Sequence, residues 1–247
     1  MVAQLITSLQ HPVVKKLVKL REDRSFRQEQ GTLLIVGSAV VQEVAQRRPI
    51  RTLISTKPLP LKASNFYLGT EPIVQKIIGH KTEDLVAAEV EIPFHGDLHK
   101  CVKIVVLDEV ADPGNVGTIF RTALAMGWDG IFVIHGSADP YNDKALRASR
   151  GASLFLPWRE ASWAEVKNII ETKKPQIVVA DTQGTALPAM KFSAPILLVL
   201  GHETRGPSKT ALGIGQSITI PMKHDVESLN VSAAAAILLY NIHEAIL

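Results

Sequence analysis

Cysteine is almost absent from this chain: Cys101 is the single one among 247 residues. One thiol excludes an internal disulfide and any cysteine-rich metal site. Apolar runs long enough to cross a bilayer are also missing. The opening residues, MVAQLITSLQHP, lack the basic-then-apolar order of a secretory signal. The simplest expectation is a reducing, cytoplasmic setting with no membrane partner. No CxxC, HExxH, GxSxG or Walker loop occurs, and the missing GxGxxG fingerprint disfavours a standard dinucleotide fold. His95 and His99 in HGDLH have helical metal spacing, but Gly96 and the linker-like setting favour surface histidines, so no metal is expected. What remains, 46% hydrophobic and 21% charged residues, is the composition of an ordinary globular protein.

Charge is unevenly placed. The net charge is +3, yet residues 1–100 hold 14 Lys/Arg against 10 Asp/Glu, while residues 101–247 hold 13 against 14. Within residues 1–30, Lys15, Lys16, Lys19, Arg21, Arg24 and Arg27 face only Glu22, Asp23 and Glu29. Such an excess suggests a surface that meets phosphate; the plainer alternative is a solvated helix face.

The pattern along the chain divides near EIPFHGDLHKC, which is poor in apolar anchors and carries Pro93 and Gly96. Before it, Pro12 opens a helical stripe of Val13, Val14, Leu17, Val18 and Leu20 that runs toward Phe26. TLLIV and RTLIST read as strands around a helix at 38–47, and Pro58–Pro60 reads as loop. After the divide, KIVVLDEV, GIFVIHG, QIVVAD, PILLVLG and SITIPM read as strands. NVGTIFRTALAMG, residues 141–150, WAEVKNIIETKK and the last 18 or so residues read as helices between and after them. This alternation predicts an α/β protein: a small α/β domain at 1–95, a linker at 96–102, and a mainly parallel, Rossmann-like sheet at 103–247.

Ligands of open α/β sheets bind beyond the carboxyl ends of the strands. Three such ends carry unusual sequence. In LDEVADPGNVGTIFRTALAMG, Asp112-Pro113-Gly114-Asn115 is a turn, Asn115 is a candidate cap, and Arg121 sits in a mostly apolar helix, where a half-buried guanidinium would need an anionic partner. In LVLGHETRGPS, Gly201 and Gly206 bracket His202 to Arg205 and let backbone approach a ligand. In IPMKHDVESLNVSAAAAILLYNI, three small polar positions precede four alanines. Caps and high helix propensity explain that last run in part.

Taken in order, these segments resemble the three motifs of the SpoU (TrmH-type) RNA ribose 2′-O-methyltransferases, a branch of the SPOUT class. The likeness covers about residues 103–247. A weaker one covers residues 5–90, where ITSLQHPVVKKLVKLRE and GTLLIVG resemble the family's ribosomal-protein-like substrate-binding domain. The resemblance implies a C-terminal trefoil knot, S-adenosylmethionine as cofactor, and a homodimer with its active site at the subunit interface. It also implies cofactor contacts near Thr182, Gly201, Ile220 and Leu229, and a catalytic set of Asn115, Arg121, Glu203, Ser228 and Asn230. Ala236, Leu239 and Tyr240 of the last helix become interface candidates. This chain departs from the family pattern at His202 and Thr204, at His224, and at Val36 and Ala39, where the family usually carries glutamate-glycine and a nearby arginine.

The implied reaction moves a methyl group onto a ribose 2′-hydroxyl, most readily of ribosomal RNA. Arginine stays protonated in proteins, so Arg121 is expected to hold the target phosphate and favour loss of the hydroxyl proton electrostatically rather than act as a free base. Asn115 would orient it, with Glu203, Ser228 and Asn230 positioning loops, nucleotide or proton path. Two other readings stay open: a transfer-RNA 2′-O-methyltransferase, and a non-catalytic RNA-binding or ribosome-assembly protein that keeps the fold. Trp128, Trp158 and Trp163 are candidates for base stacking, with core packing the plainer role.

Overall fold

The computed structural model describes residues 3–94, 97–223 and 226–246. His95, Gly96 and His224 therefore lie outside the described residues. The chain forms two compact units, one running to Pro93 together with Tyr141–Gly151, the other comprising Phe94–Pro140 and the chain from Ala152 onward.

The first unit begins with β1 (Gln4–Ile6), α1 (Pro12–Glu22) and α2 (Arg24–Gln30). The apolar stripe of α1 buries Val14, Leu17 and Leu20, but the helix does not continue to Phe26. Asp23 is extended, and its side chain accepts the Phe26 N–H at 3.0 Å, so one residue ends α1 and caps α2. Then follow β2 (Thr32–Val36), α3 (Ser38–Arg47), β3 (Ile50–Ser55), β4 (Ala63–Gly69), α4 (Glu71–Ile78) and β5 (Val86–Glu91). The sheet order is β1-β4-β3-β5-β2, with β5 antiparallel to both its neighbours and the other pairs parallel. β1 and β4 were not among the expected strands: β1 is only three residues long, and β4, ASNFYLG, lacks a sustained apolar run.

Glu89 is a buried carboxylate in this sheet. Its side chain is fully buried, and its oxygens accept from Lys16 Nζ at 2.6 Å and Thr52 Oγ1 at 2.7 Å. Burial pushes its carboxyl upward, but these partners outweigh it and hold the group below the usual carboxylate value. At the start of α3, Gly37 has φ +95°, and Asp84 Oδ2 accepts the Ser38 N–H and hydroxyl at 2.7 and 3.0 Å.

The second unit holds β6 (Lys103–Asp108), α5 (Pro113–Ala125) and β7 (Gly130–Ile134). The helix α6 (Asp143–Ser149) lies in the segment grouped with the first unit. Then come β8 (Trp158–Ala161), α7 (Trp163–Lys173), β9 (Gln176–Ala186), β10 (Ile196–Gly201), α8 (Lys209–Leu212), β11 (Gln216–Thr219) and α9 (Val231–Ile246). Six parallel strands run in the order β11-β9-β10-β6-β7-β8. β7 and β10 are buried along their whole length, as strands covered on both faces must be. β11 stops at Thr219 instead of reaching Met222, because Pro221 has no N–H to give a ladder. The tryptophans are packing residues: Trp128 Nε1 donates to the Leu239 carbonyl, Trp158 Nε1 to the Ser153 carbonyl, and both rings are buried.

Candidate active site

The carboxyl ends of β6, β9 and β10 meet at one place. The turn after β6 starts α5 with Asp112 as its cap, whose side chain accepts the Asn115 N–H at 3.0 Å. Pro113 takes the first helical position, where its missing N–H costs nothing. Asn115 therefore stands inside the first turn rather than at the cap, and its amide is available to other partners.

Those partners are Glu203 and Asn230. Glu203 Oε1 accepts from Asn115 Nδ2 at 2.9 Å and from the Asp112 N–H at 3.0 Å, and Oε2 accepts the Ala111 N–H at 3.1 Å. Asn115 Oδ1 accepts from Asn230 Nδ2 at 3.0 Å. Asn230 Oδ1 in turn accepts the Ser232 N–H at 2.9 Å, capping α9. Three of the five expected catalytic residues thus form one polar chain from the loop after β10, through α5, to the start of α9. Partial burial raises the Glu203 carboxyl, but the Asn115 and backbone donors together hold it below the usual value.

The loop after β10 curls tightly. A Cβ on Gly201 would lie 2.4 Å from Pro207 N and 2.5 Å from Gly206 C, so no other residue fits without moving backbone. His202 and Gly206 exchange both backbone hydrogen bonds, at 3.1 and 2.9 Å. The His202 Nδ1 accepts the Thr204 N–H at 3.1 Å. No left-handed φ is needed at Thr204: among the described residues, the non-glycine ones that adopt one are Glu109, Arg150 and Lys174. Arg205 Nη2 pairs with Glu109 Oε2 at 2.7 Å.

Beside this loop is a cavity of about 320 Å³. Thr182, Gly201, Ile220 and Leu229, the four expected cofactor positions, all line it, with Glu203 and Ser228. Leu200, Ile218 and Leu238 give it an apolar wall, and Asp181 and Arg205 add charge. Its size falls in the range of small-molecule sites. Arg205 and Met222 fall within the LVLGHETRGPS and IPM segments, whereas Asp181, at the end of QIVVAD, carries no sequence signal of its own. The HGDLH segment, where surface histidines and no metal are expected, has His95 and Gly96 outside the described residues; no group of three candidate metal ligands occurs among the described residues.

Arg121 corrects an expectation. It is exposed on α5, does not line the cavity, and has no hydrogen bond or ion pair among the described residues. Six residues past Asn115 on a helix, it leaves from a different face, turned by roughly 240°. No buried charge has to be offset there. Leu239 also departs from expectation: it is fully buried in the chain's own core, whereas Ile237 and Tyr240 of the same helix are exposed.

A model of the SpoU rRNA methylase family matches residues 103–240. The chain belongs to that family. An uncharacterised tRNA/rRNA methyltransferase of Synechocystis is 31% identical to this SpoU chain, over 95% of the chain and 92% of the relative. The 23S rRNA (guanosine(2553)-2′-O)-methyltransferase RlmP of Bacillus subtilis is 28% identical, over 96% and 98%. Among solved structures, the SpoU methyltransferase AviRb of Streptomyces viridochromogenes, in complex with the cofactor AdoMet, superposes with a TM-score of 0.83 at 25% identity, covering 95% of this chain and 98% of that one.

Proposed function

We propose that this SpoU chain transfers a methyl group from S-adenosylmethionine to a ribose 2′-hydroxyl of ribosomal RNA. The observation that carries the reading is the cavity at the strand ends, joined through Glu203 to the Asn115–Asn230 chain. At Gly201 the missing side chain lets the loop's own backbone at Gly206 and Pro207 close on the end of β10, which shapes the cavity wall that the cofactor would meet. When bound, the cofactor supplies the electrophilic methyl group. Thr182, Gly201, Ile220 and Leu229 hold its adenosine, and Glu203 with Asn230 fixes Asn115. Arg121 would hold the target phosphate and stabilise charge as the hydroxyl proton passes to solvent water. Ser228, on the cavity wall, positions the nucleotide.

Arg121 stands apart from the cavity of its own chain, and this favours a homodimer in which one copy's Arg121 serves the other's cofactor. The exposed Ile237 and Tyr240 of α9 suit such an interface. The trefoil knot belongs to the same reading. β11 lies at the sheet edge, yet α9 returns to pack on α5 and β10, so the chain must cross the strand ends between them. Residues 1–95 serve RNA binding and residues 103–247 methyl transfer, with the cytoplasm as the compartment; no helix among the described residues is long and apolar enough to cross a membrane.

The test is direct. The protein is titrated with S-adenosylmethionine by calorimetry, and 2′-O-methylation of ribosomal and transfer RNA is mapped in a deletion strain and after complementation. One cofactor per subunit and one ribosomal site lost and restored are expected. Absence of both binding and any lost methyl group would leave the non-catalytic alternative.

A further inference from the structure

Asp108, the last residue of β6, is 1% exposed, and the mechanism above does not use it. Its two oxygens both accept: Oδ1 from Trp163 Nε1 at 3.1 Å and Oδ2 from the Ser208 N–H at 2.7 Å. Its own backbone stands in register with Gly201 of β10. One residue therefore meets both ends of the loop that lines the cavity, Gly201 through the sheet and Ser208 through its side chain. Between those ends, His202 to Pro207 all face the cavity. The His202–Gly206 backbone pair closes the middle of the loop, and at its far end Ser208 starts a four-residue helix, for which it supplies the cap to Ala211 at 3.2 Å.

We infer that Asp108 is a positioning residue that staples the 201–208 loop shut and thereby sets the affinity of the cavity for the adenosylmethionine class of ligand. The inference rests on the proposed function, because it needs that ligand in that cavity. The chemistry is specific to two acceptor oxygens. An amide at this place offers one acceptor and one NH₂, so either Trp163 or Ser208 must face a donor. The hydrogen bond from Ser208 is the one that matters to the ligand, and the bond from Trp163 only anchors α7.

Three full-length variants separate these roles. Asp108→Asn keeps the shape and should weaken S-adenosylmethionine binding about tenfold or more, the loss typical of a buried hydrogen bond to a charged group. Ser208→Pro loses the capping hydroxyl and replaces the N–H by the ring Cδ, so it breaks the contact with Asp108 Oδ2, while the φ of −66° at Ser208 already suits proline. It should reproduce the binding loss, while Ser208→Ala, which lacks only the hydroxyl, should not. Trp163→Phe takes away the other donor and should lower thermal stability with cofactor affinity unchanged. The readouts are calorimetric affinity for S-adenosylmethionine, KM for the cofactor against kcat, and melting temperature. Equal cofactor affinity in wild type and Ser208→Pro, or a loss in Trp163→Phe as large as in Asp108→Asn, overturns the staple. A wild-type protein that binds no S-adenosylmethionine overturns the proposed function instead.

Discussion

Arg121 illustrates how a residue's role changes once its surroundings are known. Placed in the helix interior, it would have been a charge awaiting an anion; exposed as it is, it can be removed at little cost to folding. Arg121→Ala should keep the melting temperature and cofactor affinity while single-turnover methylation falls about 10²–10³-fold, the usual loss of one electrostatic donor in a transition state. Arg121→Lys should recover little, since a point charge does not reproduce the planar fork. Near-normal turnover in Arg121→Ala would show that another group holds the phosphate. At this scale the motif residues Asn115, Glu203 and Asn230 were legible from the sequence, but their mutual bonds were not. The contacts join positions 88 and 115 residues apart, which no local pattern encodes. Asp108 was illegible for the same reason: inside KIVVLDEV it reads as a strand end, and its partners lie 55 and 100 residues away.

Elements were legible where one physical signal dominated. β6, β7 and β10 are buried apolar runs, and α5 and α7 have both stripe and cap, so each lies where its sequence placed it. The reading failed where a short-range stop competed with a longer pattern, as at Asp23 after α1 and Pro221 after β11. The loop after β10 has a property that only its folded form shows. Glu203 ties it to the first turn of α5 with a carboxyl held below its ordinary value. A depressed value stabilises the folded state above the unfolded carboxylate pKa of about 4.3, and the contribution fades as pH falls through the lower folded value. Glu203→Gln leaves one acceptor for three donors, and should cost about 1–3 kcal/mol at neutral pH. In urea unfolding, the gap between wild type and Glu203→Gln should persist down to about pH 5 and close below the folded value. A gap that is unchanged in strong acid would mean that the carboxylate charge is not its source.

At the scale of the whole molecule, several basic residues of the first unit are engaged in building it. Of the six cations in residues 1–30, Lys16 pairs with Glu89, Arg21 donates to the Lys76 and Ile77 carbonyls, and Arg27 donates to the Leu20 carbonyl from a buried position. Half of these six cations therefore serve internal structure. Lys15, Lys19 and Arg24 line a groove of about 530 Å³ together with Lys76, opposed there by Glu22 and Asp23, the latter already occupied as a helix cap, and Lys19 Nζ also lies 4.4 Å over the Phe26 ring. Lys15 and Lys19 sit one helical turn apart, where like charges repel unless an anion lies between them. If this groove carries RNA phosphates, the double variant Lys15→Ala/Lys19→Ala should lower the slope of log affinity against log salt by about 1.5, since each lost contact removes roughly 0.7–0.9 of released counterion. Its stability should stay near that of wild type. Lys16→Ala should do the reverse, destabilising the fold by roughly 1–3 kcal/mol by taking the 2.6 Å partner from buried Glu89, with only Thr52 and the more distant Arg51 remaining, while leaving the salt slope alone. Filter binding of ribosomal RNA at several salt concentrations, with melting curves in parallel, tells the two apart. A salt slope lowered by Lys16→Ala and untouched by the double variant would move the phosphate contacts from the α1–α2 groove to the sheet face around Glu89.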